Sequence, residues 1–250
     1  MILPLLLLAA AQKAPPPTNP TQNRYERCVD LAGRDPAAAE GEASRWMLDG
    51  GGFLAHQCLG IAYTNEGRWS AAAAEFELAA RAADVARDDR SAYYWAQAGN
   101  AWLGAKDASK ARADLDAALA PHILVGLQSG EAYLDRARAF VAAGDMKAAR
   151  ADLDQALLAA SSDPLAWLLS ATLARRVGDM PRAQTDIAEA LKRSSDDASV
   201  QLEAGNIAAK LGDEAGAKTA WGRAAQLQPG SDANKAAIAA LAQFDTPAKP

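Results

Sequence analysis

From Asn23 to Phe244 the apolar residues return at the three-to-four-residue spacing of amphipathic helices, in segments broken by short polar turns. The turns carry the stronger message. Three Gly-Asp pairs, Gly144-Asp145, Gly178-Asp179 and Gly212-Asp213, stand 34 residues apart, each between two Ala-rich helical segments. A fixed period of this length marks a solenoid, in which one helix pair cannot bury its apolar face alone and does so against the next pair. Counting from these pairs gives units 130–163, 164–197 and 198–231, and the same template finds 92–125 and 53–86. It fits 19–52 weakly, where Gly33 stands one period before Gly67.

Aligning the units exposes rows of like residues. The first helix of each (helix A) has a small row at Gly60, Gly99, Ala137, Ala171 and Gly205. The second helix (helix B) has two, Ala72, Ala111, Ala149, Ala183 and Ala217, then Ala79, Ala118, Ala156, Ala190 and Ala224. Small residues facing one another let the two helices approach closely, and a larger side chain would force them apart at a cost of about 1 to 3 kcal/mol. Between the helix B rows sit large fillers, Phe76, Leu115, Leu153, Ile187 and Trp221. Helix A adds Tyr63, Trp102 and Phe140 on one row and Trp95, Tyr133 and Trp167 on another, a row that His56 shares.

On these rows the chain resembles the tetratricopeptide repeat over most of its length. The resemblance implies an all-α, right-handed α-solenoid of tandem helix-turn-helix hairpins, spanning 23–244 and closed by a capping helix at 232–244. In that last helix Ala236, Ile238, Leu241 and Phe244 form the apolar face and Asp232 is placed as N-cap. Unit 19–52 is degenerate: Glu26, Glu42 and Arg45 stand where small or apolar residues belong and only Ala38 is kept, with helices expected near Asn23–Ala32 and Pro36–Leu48. Insertions near Asp84–Ser91 and Pro121–Gln128 interrupt the period. Arg136 replaces an apolar residue of the repeat, so its head must reach solvent or a carboxylate such as Asp152.

The same resemblance implies a concave groove lined by the second, fifth, ninth and twelfth places of each helix A. Carried onto this sequence, those places name Tyr93, Asn100, Leu134, Arg138, Leu168, Arg175, Leu202 and Asn206 as partner-binding residues. Asn at the ninth place both donates and accepts, which suits the backbone of an extended peptide. Arg138 and Arg175, with Arg176 and Lys210, predict a positive inner face in units four to six and an anionic ligand such as a peptide carboxylate. The pattern departs from the carboxylate clamp of chaperone-binding relatives, because the fifth place holds Gln57, Ala96, Leu134, Leu168 and Leu202 rather than Lys.

Composition narrows the function classes. A net charge of -5 with no Lys/Arg block argues against nucleic acid as a partner. No P-loop, G-x-S-x-G or H-E-x-x-H sequence occurs, and two cysteines with two distant histidines offer no metal site, so neither catalysis nor a cofactor is expected. His56 reads as a packing residue and His122 as a surface one.

The apolar run Ile2–Ala11 is about half the length a membrane span needs and reads as a secretory signal, 1–11, with Ala9-Ala10-Ala11 before the cut. A Pro-rich linker, 12–22, and a polar tail, 245–250, flank the repeats. Export would allow Cys28 and Cys58, on the first helices of successive units, to bridge; in a reducing compartment they would be buried thiols.

These observations predict a non-catalytic scaffold or adaptor that is periplasmic, or alternatively secreted, holding a protein or peptide partner in the groove. Two alternatives stand beside it: an accessory subunit of an envelope enzyme or export assembly, docking by its convex face or N-terminal unit, and a weakly self-associating protein.

Overall fold

Each Gly-Asp pair does two jobs at one turn. The glycines adopt left-handed backbone, with φ of 81° at Gly144, 86° at Gly178 and 81° at Gly212, a conformation that costs a side-chain-bearing residue about 1 kcal/mol or more. The aspartates then cap the next helix: Asp145, Asp179 and Asp213 accept from the backbone N–H three residues on, at 2.9, 3.2 and 2.9 Å. Unit three turns the same way without the glycine, since Lys106 takes φ 62° and Asp107 caps through the N–H of Lys110 at 3.1 Å.

The computed structural model describes residues 19–244 and shows thirteen helices and no strand among them. The proposed leader at 1–11, most of the proposed linker and the tail 245–250 lie outside the described residues. In order they are α1 Pro20–Arg34, α2 Pro36–Leu48, α3 Gly52–Asn65, α4 Trp69–Ala86, α5 Ser91–Gly104, α6 Ala108–Leu119 and α7 Leu127–Ala142. Then follow α8 Met146–Ala159, α9 Pro164–Val177, α10 Met180–Arg193, α11 Ala198–Lys210, α12 Glu214–Ala224 and α13 Asp232–Phe244. Odd-numbered helices α1 to α11 are the A helices and even-numbered ones the B helices; α5 touches α7, α7 touches α9 and α9 touches α11, making an inner layer. No helix is long and apolar enough to cross a membrane among the described residues.

The small rows lie where hairpins close. Every alanine of the two helix B rows is fully buried. A Cβ added to Gly60 would stand 2.6 Å from the Phe76 ring, and one on Gly99 would meet Leu115 at 2.5 Å, while Gly205 is covered as closely by Trp221. Glycine is therefore required there by the large filler of the facing helix, and the result is a string of small cores in place of one large one.

Four details differ from the sequence reading. Helix α1 starts at Pro20, inside the segment read as spacer, because Asn19 accepts from the Thr21 N–H at 3.0 Å and proline fits the first helical turn. In unit one the buried helix B residues are Ala39, Ala43 and Trp46, one place later than the template, and Ala38 is exposed. The first insertion extends α4 to 18 residues, one turn beyond its neighbours, and Ala83 of the added turn packs with Tyr94. The cap of α13 is Ser231, whose Oγ accepts from the Asn234 N–H at 3.1 Å; Asp232 is exposed.

The Arg136 expectation is met. Its guanidinium grips Asp152 through two bonds of 2.8 Å and reaches Asp116 at 2.8 Å, and these carboxylates raise its pKa against the cost of burial. Cys28 and Cys58 form a disulfide joining α1 to α3, with Cα atoms 6.1 Å apart.

Candidate functional site

A concavity of about 820 Å³ runs along the inner layer of units one to four. Helix α1 supplies Gln22 and Tyr25, α3 Gln57 and Ile61, α5 Tyr93, Tyr94, Gln97 and Asn100, and α7 Gln128, Glu131, Asp135 and Arg138. These side chains reach the cleft because an A helix shows water whichever face is not spent on its own B helix or on the adjacent A helices.

Its floor is stitched by side-chain amides and a phenol. Gln57 Nε2 donates to Gln97 Oε1 at 3.0 Å, Tyr93 OH to Gln128 Oε1 at 3.2 Å, and Asn100 Nδ2 to Asp135 Oδ2 at 2.6 Å. Arg138 donates to the other oxygen of Asp135 at 2.8 Å. At the α1 end Arg90 clasps Asp88, holding that carboxyl down at about 2, and its guanidinium lies 4.8 Å over the Phe53 ring. Burial pushes the Tyr94 phenol up to about 12, with Arg90 opposing.

Of the eight residues expected on this face, Tyr93, Asn100, Leu134 and Arg138 line the cleft, although Leu134 is only 2% exposed and belongs chiefly to the core. The other four lie elsewhere. Leu168 and Leu202 are half-buried and pack against the cores of units five and six. Arg175 is held by Glu203 at 2.6 and 3.1 Å, and Asn206 is used twice, donating to Glu203 at 3.3 Å and accepting from Trp221 Nε1 at 3.1 Å.

Of the four cations expected on the inner face, Arg138 is paired with Asp135 and Arg175 with Glu203, while Arg176 lies beside Arg138 in a smaller recess with Leu169 and Thr172. Glu131 and Leu165 occupy the same second place as Tyr93, so the repeat pattern held the signal for them. Gln97 and Asp135 stand one place past the fifth, outside that pattern, and each accepts from helix A of the preceding unit, Gln97 from Gln57 and Asp135 from Asn100.

In units two to five helix B carries a second acidic row at Glu75, Asp114, Asp152 and Asp186. His56 Nδ1 lies 2.7 Å from Glu75, Arg136 holds Asp152 and the Ser170 hydroxyl donates to Asp186. This row is structural, and His56 sits in it as a polar packing residue.

A stack of close-packed A/B hairpins with an inner groove is the tetratricopeptide-repeat fold, and the chain has that fold. It is similar to the structure of Pseudomonas aeruginosa PilF (16% identity, TM-score 0.69, 89% of this chain and 100% of that one). It is similar also to PilW, described as a widely conserved type IV pilus biogenesis factor (19%, 0.73, 88% and 100%). YrrB, described as a tetratricopeptide-repeat protein with an unusual peptide-binding site, aligns at 15% identity and TM-score 0.55 over 86% of this chain and 96% of that one. No protein-family model and no curated protein sequence matches the chain.

Proposed function

We propose that this protein is a non-catalytic scaffold of the bacterial cell envelope that holds an extended protein segment in the groove of units one to four. The observation that carries the reading is the groove itself: a cleft of about 820 Å³ whose walls include tyrosines and side-chain amides, each amide engaged at one end by a neighbour. Export is supported by the leader-like pattern at 1–11, by the disulfide, which persists in oxidising compartments, and by likeness to a pilus biogenesis factor.

Photo-crosslinking in the native envelope tests the reading. A crosslinker at position 97 is expected to trap a defined protein, and Tyr93→Ala to lower the yield; a crosslinker at Gln155, on α8 outside the groove, is the control. Trapping from 155 alone would reject the groove. It would favour docking by the outer edge, a second reading supported by Leu158, 79% exposed beside a recess lined by Leu119, His122 and Leu124.

A further inference from the structure

Three of the four ionised side chains in the groove are already paired: Arg90 with Asp88, and Arg138 with Asp135, which also takes the Asn100 amide. Glu131 is the fourth. It has no hydrogen-bond or ion-pair partner among the described residues and stands exposed in the first part of α7. Desolvation, Asp163 and Asp135 all push its carboxyl above the ordinary range, so its surroundings are negative and lack an unpaired cation.

The floor adds a second observation. Gln57 Oε1, Gln97 Nε2, Asn100 Oδ1 and Gln128 Nε2 are left over after the bonds that stitch α3 to α5 and α5 to α7, an alternation of acceptors and donors. At the α1 end Tyr94, only 2% exposed, buries a hydroxyl with no partner at all. A buried polar group left unsatisfied costs about 1 to 3 kcal/mol.

We propose that the groove's occupant is an extended segment bearing a lysine or arginine, whose cation pairs with Glu131 while the leftover amide groups of Gln57, Gln97, Asn100 and Gln128 bond its backbone. The inference rests on the groove reading above and reverses the sign that the count of inner-face arginines suggests. It commits the ligand to a basic residue beside the amide floor, since Glu131 stands on α7 between Gln128 and Asp135, one turn from each.

The probe is an array of immobilised pentapeptides, Ala and Pro in all but one position, with that position varied over every residue, tested with the full chain. Lys and Arg should be selected and Asp and Glu disfavoured. Glu131→Gln should lower retention of the Lys peptide about five- to tenfold while leaving the uncharged peptides unchanged, and about 0.5 M salt should mimic it. Circular dichroism is expected to match the parent, because Glu131 touches no partner. Peptides retained in a Tyr93-dependent way with no preference for a cation, or with a preference for an acid, would overturn this inference and leave the groove standing. An array on which no peptide is retained, or retention that Tyr93→Ala does not touch, would overturn both.

Discussion

Asp114 shows how one missing neighbour is felt. In units four and five the buried aspartate of helix B meets Arg136 or Ser170, seven places into helix A; in unit three that place is Ala98. Asp114 Oδ2 is left buried and unpartnered, and the Trp102 N–H that could have served it is given to Glu77 at 2.8 Å. Burial, then the charge of Glu77, lifts its carboxyl to about 7. The group is raised in the fold, so the unfolded chain gives up its proton first. Stability falls as pH rises from about 4 and levels off above about 7. Asp114→Asn is therefore expected to gain up to a few kcal/mol over the parent at pH 8 and little at pH 4, read from urea midpoints at both. A gain independent of pH would mean that the carboxyl is ionised throughout. Lys106 is a second local defect. It holds left-handed backbone where other units have glycine, so Lys106→Gly should raise stability by about 0.5 to 1 kcal/mol despite the added freedom of the unfolded chain. An unchanged midpoint would show that the turn is not strained.

At the scale of the element, α13 shows where periodicity misleads. Spacing alone puts Ala236, Ile238 and Leu241 on one face, yet Ala237 is the fully buried residue, Ala236 is exposed and Ile238 is 52% exposed. The phase is set by a polar side chain. Asn234 is buried, accepts from the Gly230 N–H at 3.2 Å and donates to the carbonyl of Ala225 at 2.8 Å, so α13 turns its Asn234–Ala237–Leu241 edge inward against Trp221 and Ala224. Reading apolar residues only could not find an anchor made of hydrogen bonds. Asn234→Ala should cost about 1 to 3 kcal/mol through the carbonyls it strands, whereas Ile238→Lys should stay within about 0.5 kcal/mol of the parent. Thermal melts of the two variants decide between the phases: a larger loss for the Ile238 change would restore the apolar face read from the sequence.

For the whole molecule, what was legible was whatever one unit shares with the next. Gly60 under Phe76 and Gly205 under Trp221 recur because hairpin closure is the same problem in each unit, and a solved problem repeated becomes a period. The groove is set by contacts between units, such as Asn100 to Asp135, whose accepting residues Gln97, Asp135 and Glu203 share the sixth place of helix A, a row outside the places that the resemblance names. The same nearest-neighbour logic predicts how the array comes apart. Unit one lacks the matched small rows, and its hold on the rest includes the Cys28–Cys58 bond, which closes a loop of thirty residues worth roughly 3 to 4 kcal/mol in chain entropy. Reduction should therefore release α1 and α2, taking Gln22 and Tyr25 from the end of the groove, while α7 to α12, which contact neither cysteine, keep their own cores. Amide hydrogen exchange with and without reductant reads this directly, with faster exchange confined to the first two units. Equal loss of protection from α1 to α12 would mean that the hairpins fold as one cooperative body, with the bond stabilising all of it. Local loss would make the first unit a clip whose state sets the length of the groove.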